Sequence, residues 1–70
     1  MTQTIGDRIK EARERAGFTQ QQLADRLGIR ASGRQRVSGW ETGLRTPRRD
    51  TLEKIARATG VTPAWIAYGA

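Results

Sequence analysis

Apolar residues recur along this chain at intervals of three and four, the spacing that gathers them on one face of a helix. Ile5, Ile9, Ala12 and Ala16 form such a stripe on an otherwise charged segment, opened by Thr4 with Asp7 and ended by Gly17. Phe18 falls where a plug between helices is needed. Thr19 with Gln22 makes a second capping box, starting a short helix with Leu23, Ala24 and Leu27 inside and Gly28 just past its end. Val37 and Trp40 stand one turn apart in a third helix, predicted near residues 33–42, with Ser32 and Gln35 fitting a capping box at its start and Gly43 a cap at its end. Pro47 forbids helix through a loop from Leu44 to Arg49. Asp50 or Thr51 then caps a fourth helix that carries Leu52, Ile55, Ala56 and Thr59 on one face and ends at Gly60. Thr62-Pro63 is an N-cap with proline at the first helical position, and the last helix, Ala64 to Tyr68, is so short that Trp65 or Ile66 must pin it to the core. The pattern predicts an all-α fold of five short helices and no strand, one domain over residues 1–70, without repeats, linkers or low-complexity tracts.

The third helix joins its apolar pair to a different kind of side chain. Arg34, Gln35 and Arg36 directly precede Val37, so one face packs while the other is left outside. Arginine can donate two parallel hydrogen bonds to guanine O6 and N7, and glutamine can pair in the same way with adenine. A solvated charged face explains these residues equally well when they are taken alone.

Charge changes that balance. Thirteen basic and seven acidic side chains give a net charge of +6. Residues 30–49 hold Arg30, Arg34, Arg36, Arg45, Arg48 and Arg49 against Glu41 alone, a local +5. The flanking segments are nearly neutral, so the excess surrounds the third helix, as an electrostatic footprint for phosphate does. Arg30 and Arg45, which bracket that helix, are expected on phosphate.

Composition removes most other chemistry. With no His and no Cys in 70 residues, disulfides, the usual zinc ligands, the commonest general base and the thiolate nucleophile are absent. Ser32 and Ser38 have no histidine to activate them, and Glu11 and Glu14 sit among basic neighbours as surface carboxylates do. The expectation is a chain that is not an enzyme and takes no cofactor, metal or small-molecule substrate. No apolar run approaches the length of a membrane span, and the start lacks a secretory pattern, so a cytosolic protein is expected. Docking on an anionic membrane surface needs large apolar residues opposite the charges, and residues 30–36 offer only Ala31. The competing reading is a basic helical module, antitoxin-like, that binds an acidic protein partner.

Over nearly its whole length the chain resembles the Cro and phage-repressor type of helix-turn-helix domain, also called Xre-like or lambda-repressor-like. The resemblance is carried by Ile5-Gly-Asp-Arg-Ile-Lys-Glu-Ala-Arg, Gly17-Phe-Thr-Gln, Leu23-Ala, Leu27-Gly-Ile, Val37-Ser-Gly-Trp-Glu-Thr-Gly, Pro47, Leu52, Ile55-Ala, Gly60-Val-Thr and Trp65-Ile, in that order. It implies a double-stranded DNA-binding transcriptional regulator, repressor or Cro-like, in the cytoplasm of a bacterial cell or a phage-infected host. Helix three would enter the major groove while helix two braces the backbone. Arg34 and Gln35 are then the main base readers, with Arg36 beside them and Ser38 in support. Gln20 and Arg48 resemble phosphate-contacting positions, and Arg13 and Glu41 a structural ion pair joining helices one and three. Binding as a homodimer to a pseudo-palindromic operator is also implied, with Trp65 and Tyr68 as the candidate contact region.

Two departures stand out. The turn from Gly28 to Ser32 is longer than the resemblance implies, leaving Arg30 and Ala31 either to reach phosphate or to bulge into solvent. Gly39 stands where a base-reading side chain is often found.

Overall fold

Each of the first two helices is opened by a threonine whose hydroxyl accepts from the backbone three residues on. In the computed structural model, which describes residues 3–69, Thr4 pairs in this way with Asp7 and Thr19 with Gln22, and both second side chains reach back to the cap nitrogen. The helices are α1 (Ile5–Arg15), α2 (Gln20–Arg26), α3 (Gly33–Thr42), α4 (Arg49–Thr59) and α5 (Pro63–Tyr68), with no strand among the described residues. The all-α expectation holds.

Ile9, Leu23, Ala24, Val37, Trp40, Ile55, Ala56 and Ile66 form one core to which every helix contributes. Ile5, Phe18, Leu27, Ile29, Leu52 and Trp65 pack around it half-buried. Phe18 plugs the α1–α2 junction with the Arg26 guanidinium over its ring, 4.9 Å from the centroid. Ala16 caps α1 rather than extending its stripe.

α5 has only six residues and could not hold its shape alone. Ile66 is fully buried, and Arg8 closes the other side of the joint. This arginine is itself buried, donating from Nε to the Ile66 carbonyl at 2.6 Å, from Nη2 to Ala67 at 3.1 Å and from Nη1 to Gln3 at 2.8 Å. A cation at the C-terminal end of α5 also meets the negative end of the helix dipole.

Two expected helix starts are corrected. Ser32 does precede α3, but it lies in the left-handed region (φ 57, ψ 31) and its side chain caps nothing. An N-cap needs extended backbone for its oxygen to face the first turn, and the approach to α2 dictates otherwise. Past α2, the Ile29 nitrogen donates to Ala24 and Gly28 to Asp25, a closed Schellman turn that tucks Ile29 against the core. Arg30, Ala31 and Ser32 then loop through solvent before Gly33 returns to the interior. A Cβ on Gly33 would lie 2.6 Å from that of Ala24, so only glycine lets α3 start this close to α2. α4 likewise begins at Arg49, before the expected Asp50 or Thr51, because Arg48 after buried Pro47 is extended and its carbonyl accepts from Leu52. Asp50 sits in the first turn instead, accepting from the Thr51 nitrogen at 3.0 Å.

The α2–α3 contact makes a testable demand. Gly33→Ala should cost about 1 to 3 kcal/mol through overpacking. Ala24→Gly alone should cost about 1 kcal/mol. The double variant, measured by urea denaturation, should lose clearly less than the two single losses combined; full additivity would mean the crossing does not depend on this contact.

Candidate nucleic-acid interface

α3 has two opposed faces. Val37 is fully buried and Trp40 is 7% exposed, whereas Arg34, Gln35 and Arg36 are exposed and Ser38 is half-buried. At about 100° per residue the three long polar side chains cannot all point one way. Gln20, Arg34, Gln35, Ser38, Gly39, Thr42 and Leu44 border one shallow depression, which joins the start of α2 to the outer face of α3. Arg36 lies on the other edge of the helix. It faces the enlarged turn, with Arg30 and Lys54, and a second hollow with Arg45, Arg48 and Thr51.

The four candidate base readers are therefore split, with Arg34, Gln35 and Ser38 together and Arg36 apart. The candidate phosphate contacts are split as well, with Gln20 beside the first group and Arg30, Arg45 and Arg48 beside Arg36. Thr42 and Leu44 were not expected at this site. Spacing from Gln35 through Ser38 would have placed Thr42 on the same face. Leu44 carries no local signal; it follows the left-handed Gly43 and is left 80% exposed at the edge of the depression.

One network sets the angle of this surface. Arg13 Nε lies 2.6 Å from Glu41 Oε2, and Nη2 reaches Oε1 at 3.2 Å, a two-pronged pair between α1 and α3. Arg13 Nη1 also donates to the Phe18 carbonyl at 2.7 Å, and Gln20 Nε2 to Glu41 Oε1 at 3.1 Å. The Arg13 and Glu41 side chains are only 11% and 4% exposed. The hydrogen bond to Glu41 raises the pKa of the Arg13 guanidinium, against the opposing effect of burial. One N–H of the Gln20 side-chain amide is thus held by Glu41, at the start of α2.

α1 touches the same end of α3 through backbone. A Cβ on Gly6 would collide with the Trp40 and Glu41 carbonyl oxygens, so the glycine lets the helices cross there. Neither α3 nor α4 has a side-chain N-cap, which leaves the first N–H groups of α3, and those of α4 other than Thr51, to water or to a ligand.

A short helix braced against a second, with one face of the second free, is the arrangement of a helix-turn-helix. The helix-turn-helix family model matches residues 9–66, and the chain belongs to that family. It is 36% identical over 63 residues to the HTH-type transcriptional regulator ImmR of Bacillus subtilis (strain 168), covering 90% of this chain and 47% of that protein. It is also 36% identical over 65 residues to the SPbeta prophage-derived uncharacterized HTH-type transcriptional regulator YonR of the same organism, covering 93% of this chain and 57% of that one. The chain thus spans about half the length of these relatives. Among solved structures, that of the P22 c2 repressor protein in complex with synthetic operator 9T superposes with a TM-score of 0.86 at 25% identity, covering 99% of this chain and 100% of that one.

The Arg13–Glu41 pair predicts strong coupling. Removing one member of a shielded pair strands the other, so Glu41→Gln should cost about 3 kcal/mol and Arg13→Met a similar amount. A double-mutant cycle read by thermal or urea unfolding should show coupling of about 1 to 3 kcal/mol; coupling near zero would make the pair a surface contact.

Proposed function

We propose that this chain is a sequence-specific double-stranded DNA-binding module of a transcriptional regulator, repressor or Cro-like, acting in the cytoplasm without catalysis of its own. The observation that carries the reading is the division of α3. Val37 and Trp40 fix one face in the core, while Gln35 and Ser38 stand on the outer side with Arg34 exposed at its edge, within the most basic part of the chain.

Set into a major groove, that face meets base edges, with Arg34 matched to guanine and Gln35 to adenine. Ser38 supports them, and the exposed Leu44 offers apolar surface of the kind that meets a thymine methyl. Arg48, at the start of α4, and Arg30, in the enlarged turn, flank the groove on the phosphate side. Arg36, on the edge of α3 that faces them, joins the phosphate contacts. Gln20 contributes through the N-terminus of α2. The P22 c2 repressor, which has this fold, is bound to an operator in its structure.

One reading helix covers only a few base pairs, so two copies on a pseudo-palindrome supply the rest of the specificity. Tyr68 at 82% exposure and half-buried Trp65, over which Arg15 stacks at 5.9 Å, form the surface on which two copies can meet.

Selection from random duplexes tests the reading directly. It should enrich a site with two related half-sites about one turn apart, and an unenriched pool would overturn it. Single variants should then fail in different ways. Arg34→Ala should lose about 1 to 3 kcal/mol at one base pair and relax preference there. Arg48→Ala should weaken all duplexes alike and lower the salt slope by about one. If the ranking of single-base variants survives the first change and is altered by the second, α3 is docked differently.

A further inference from the structure

Gly39 stands on the outer side of α3, one turn from Gln35 and opposite Val37, yet it is buried. What covers it is Arg45. An ideal Cβ on Gly39 would sit 3.6 Å from Arg45 Cγ, 3.7 Å from Cδ and 3.9 Å from Cβ, so the arginine stem lies along the helix where a side chain at position 39 would project. The backbone holds it there, because the Arg45 nitrogen donates to the Gly39 carbonyl at 3.1 Å after the left-handed turn at Gly43.

We propose that Arg45 is a specificity-determining residue that reads a guanine in the major groove, its side chain carried across α3 by the absence of one at Gly39. The inference rests on the DNA-binding reading above. A guanidinium whose stem is already pinned loses less conformational freedom on contact than one on a free side chain. Its stem starts over the base-facing side of α3, whereas Arg48 approaches from the start of α4 at the rim. Gly39, which that stem covers, borders the depression shared by Gln35 and Ser38, and Arg45 also lines the hollow that holds Arg36 and Trp40. Among the described residues the ion pairs are Arg13–Glu41 and Arg15–Glu11, so no carboxylate claims it. The glycine therefore does not shorten the base code. It transfers one position of that code from the helix to the loop.

The test uses the duplex enriched by selection, its full set of single-base variants and several salt concentrations. Arg45→Ala should lower affinity roughly 5- to 150-fold for the selected site and flatten preference at one base pair, where wild type favours guanine. Gly39→Gln, whose side chain must displace the Arg45 stem, should flatten the same base pair, and the double variant should lose no more there than either single change. Gly39→Ala, whose methyl makes only ordinary contact with that stem, should keep the preference and raise the melting temperature, which separates reading from folding. Three results would overturn the proposal: a uniform loss across all variants with a salt slope lower by about one, which marks a phosphate contact; additive losses at different base pairs for positions 39 and 45; or an unchanged ranking with Arg45→Ala. Failure of the broader reading looks different, since the wild-type chain would then yield no enriched duplex.

Discussion

Glu41 carries its carboxylate into the junction of α1, α2 and α3, where Arg13 and Gln20 supply the donors that make its burial tolerable. Everything the exposed face of α3 can do depends on that junction. α3 is ten residues long and starts without a side-chain cap, so its direction is imposed by its neighbours. Glu41 fixes the C-terminal half against α1 and α2, while Gly33 against Ala24 fixes the N-terminal end. Between these two points Val37 and Trp40 lock the rotation. A helix held at both ends and along one side presents its other side at a constant angle, as base readout at hydrogen-bond distances requires.

The distribution of charge follows the same division. Buried arginines serve the fold: Arg8 satisfies carbonyls at the end of α5, and Arg13 neutralises Glu41. Of the exposed arginines, Arg15, Arg26 and Arg57 lie on α1, α2 and the end of α4, whereas Arg30, Arg34, Arg36, Arg45, Arg48 and Arg49 surround α3 and the start of α4. Their mutual repulsion is tolerable in water at physiological ionic strength, and a polyanion relieves it. Surface charge and α3 orientation thus favour the same partner, although they arise from different residues.

What was legible in the sequence was local. The boxes at Thr4 and Thr19 announce α1 and α2 because each is closed within four residues, and the apolar spacing picks out Ile9, Leu23, Val37, Ile55 and Ile66 as core. The Arg13–Glu41 pair was legible only through resemblance, since nothing local connects positions 28 residues apart. Ser32 with Gln35 shows the same letters as a capping box and forms none, because the contact of Gly33 with Ala24 sets the backbone at Ser32. Nothing local marks Arg8 for burial, its partners being carbonyls 58 and 59 residues away. Arg34 and Arg36 read as neighbours in the sequence but flank opposite edges of α3, a consequence of helical geometry that three adjacent letters conceal. The relation of Gly39 to Arg45 depends on the turn at Gly43, which the sequence marks only as a helix end.

The central claim is that the core-facing side of α3 stays in place while its outer side meets base edges. A structure of the chain bound to its selected duplex tests this most directly. The account predicts Arg34 and Gln35 within hydrogen-bond distance of major-groove base edges, with Glu41 still held by Arg13 and Gln20. A complex in which the duplex lies against α5 and Tyr68, or in which α3 remains in solvent, would contradict it.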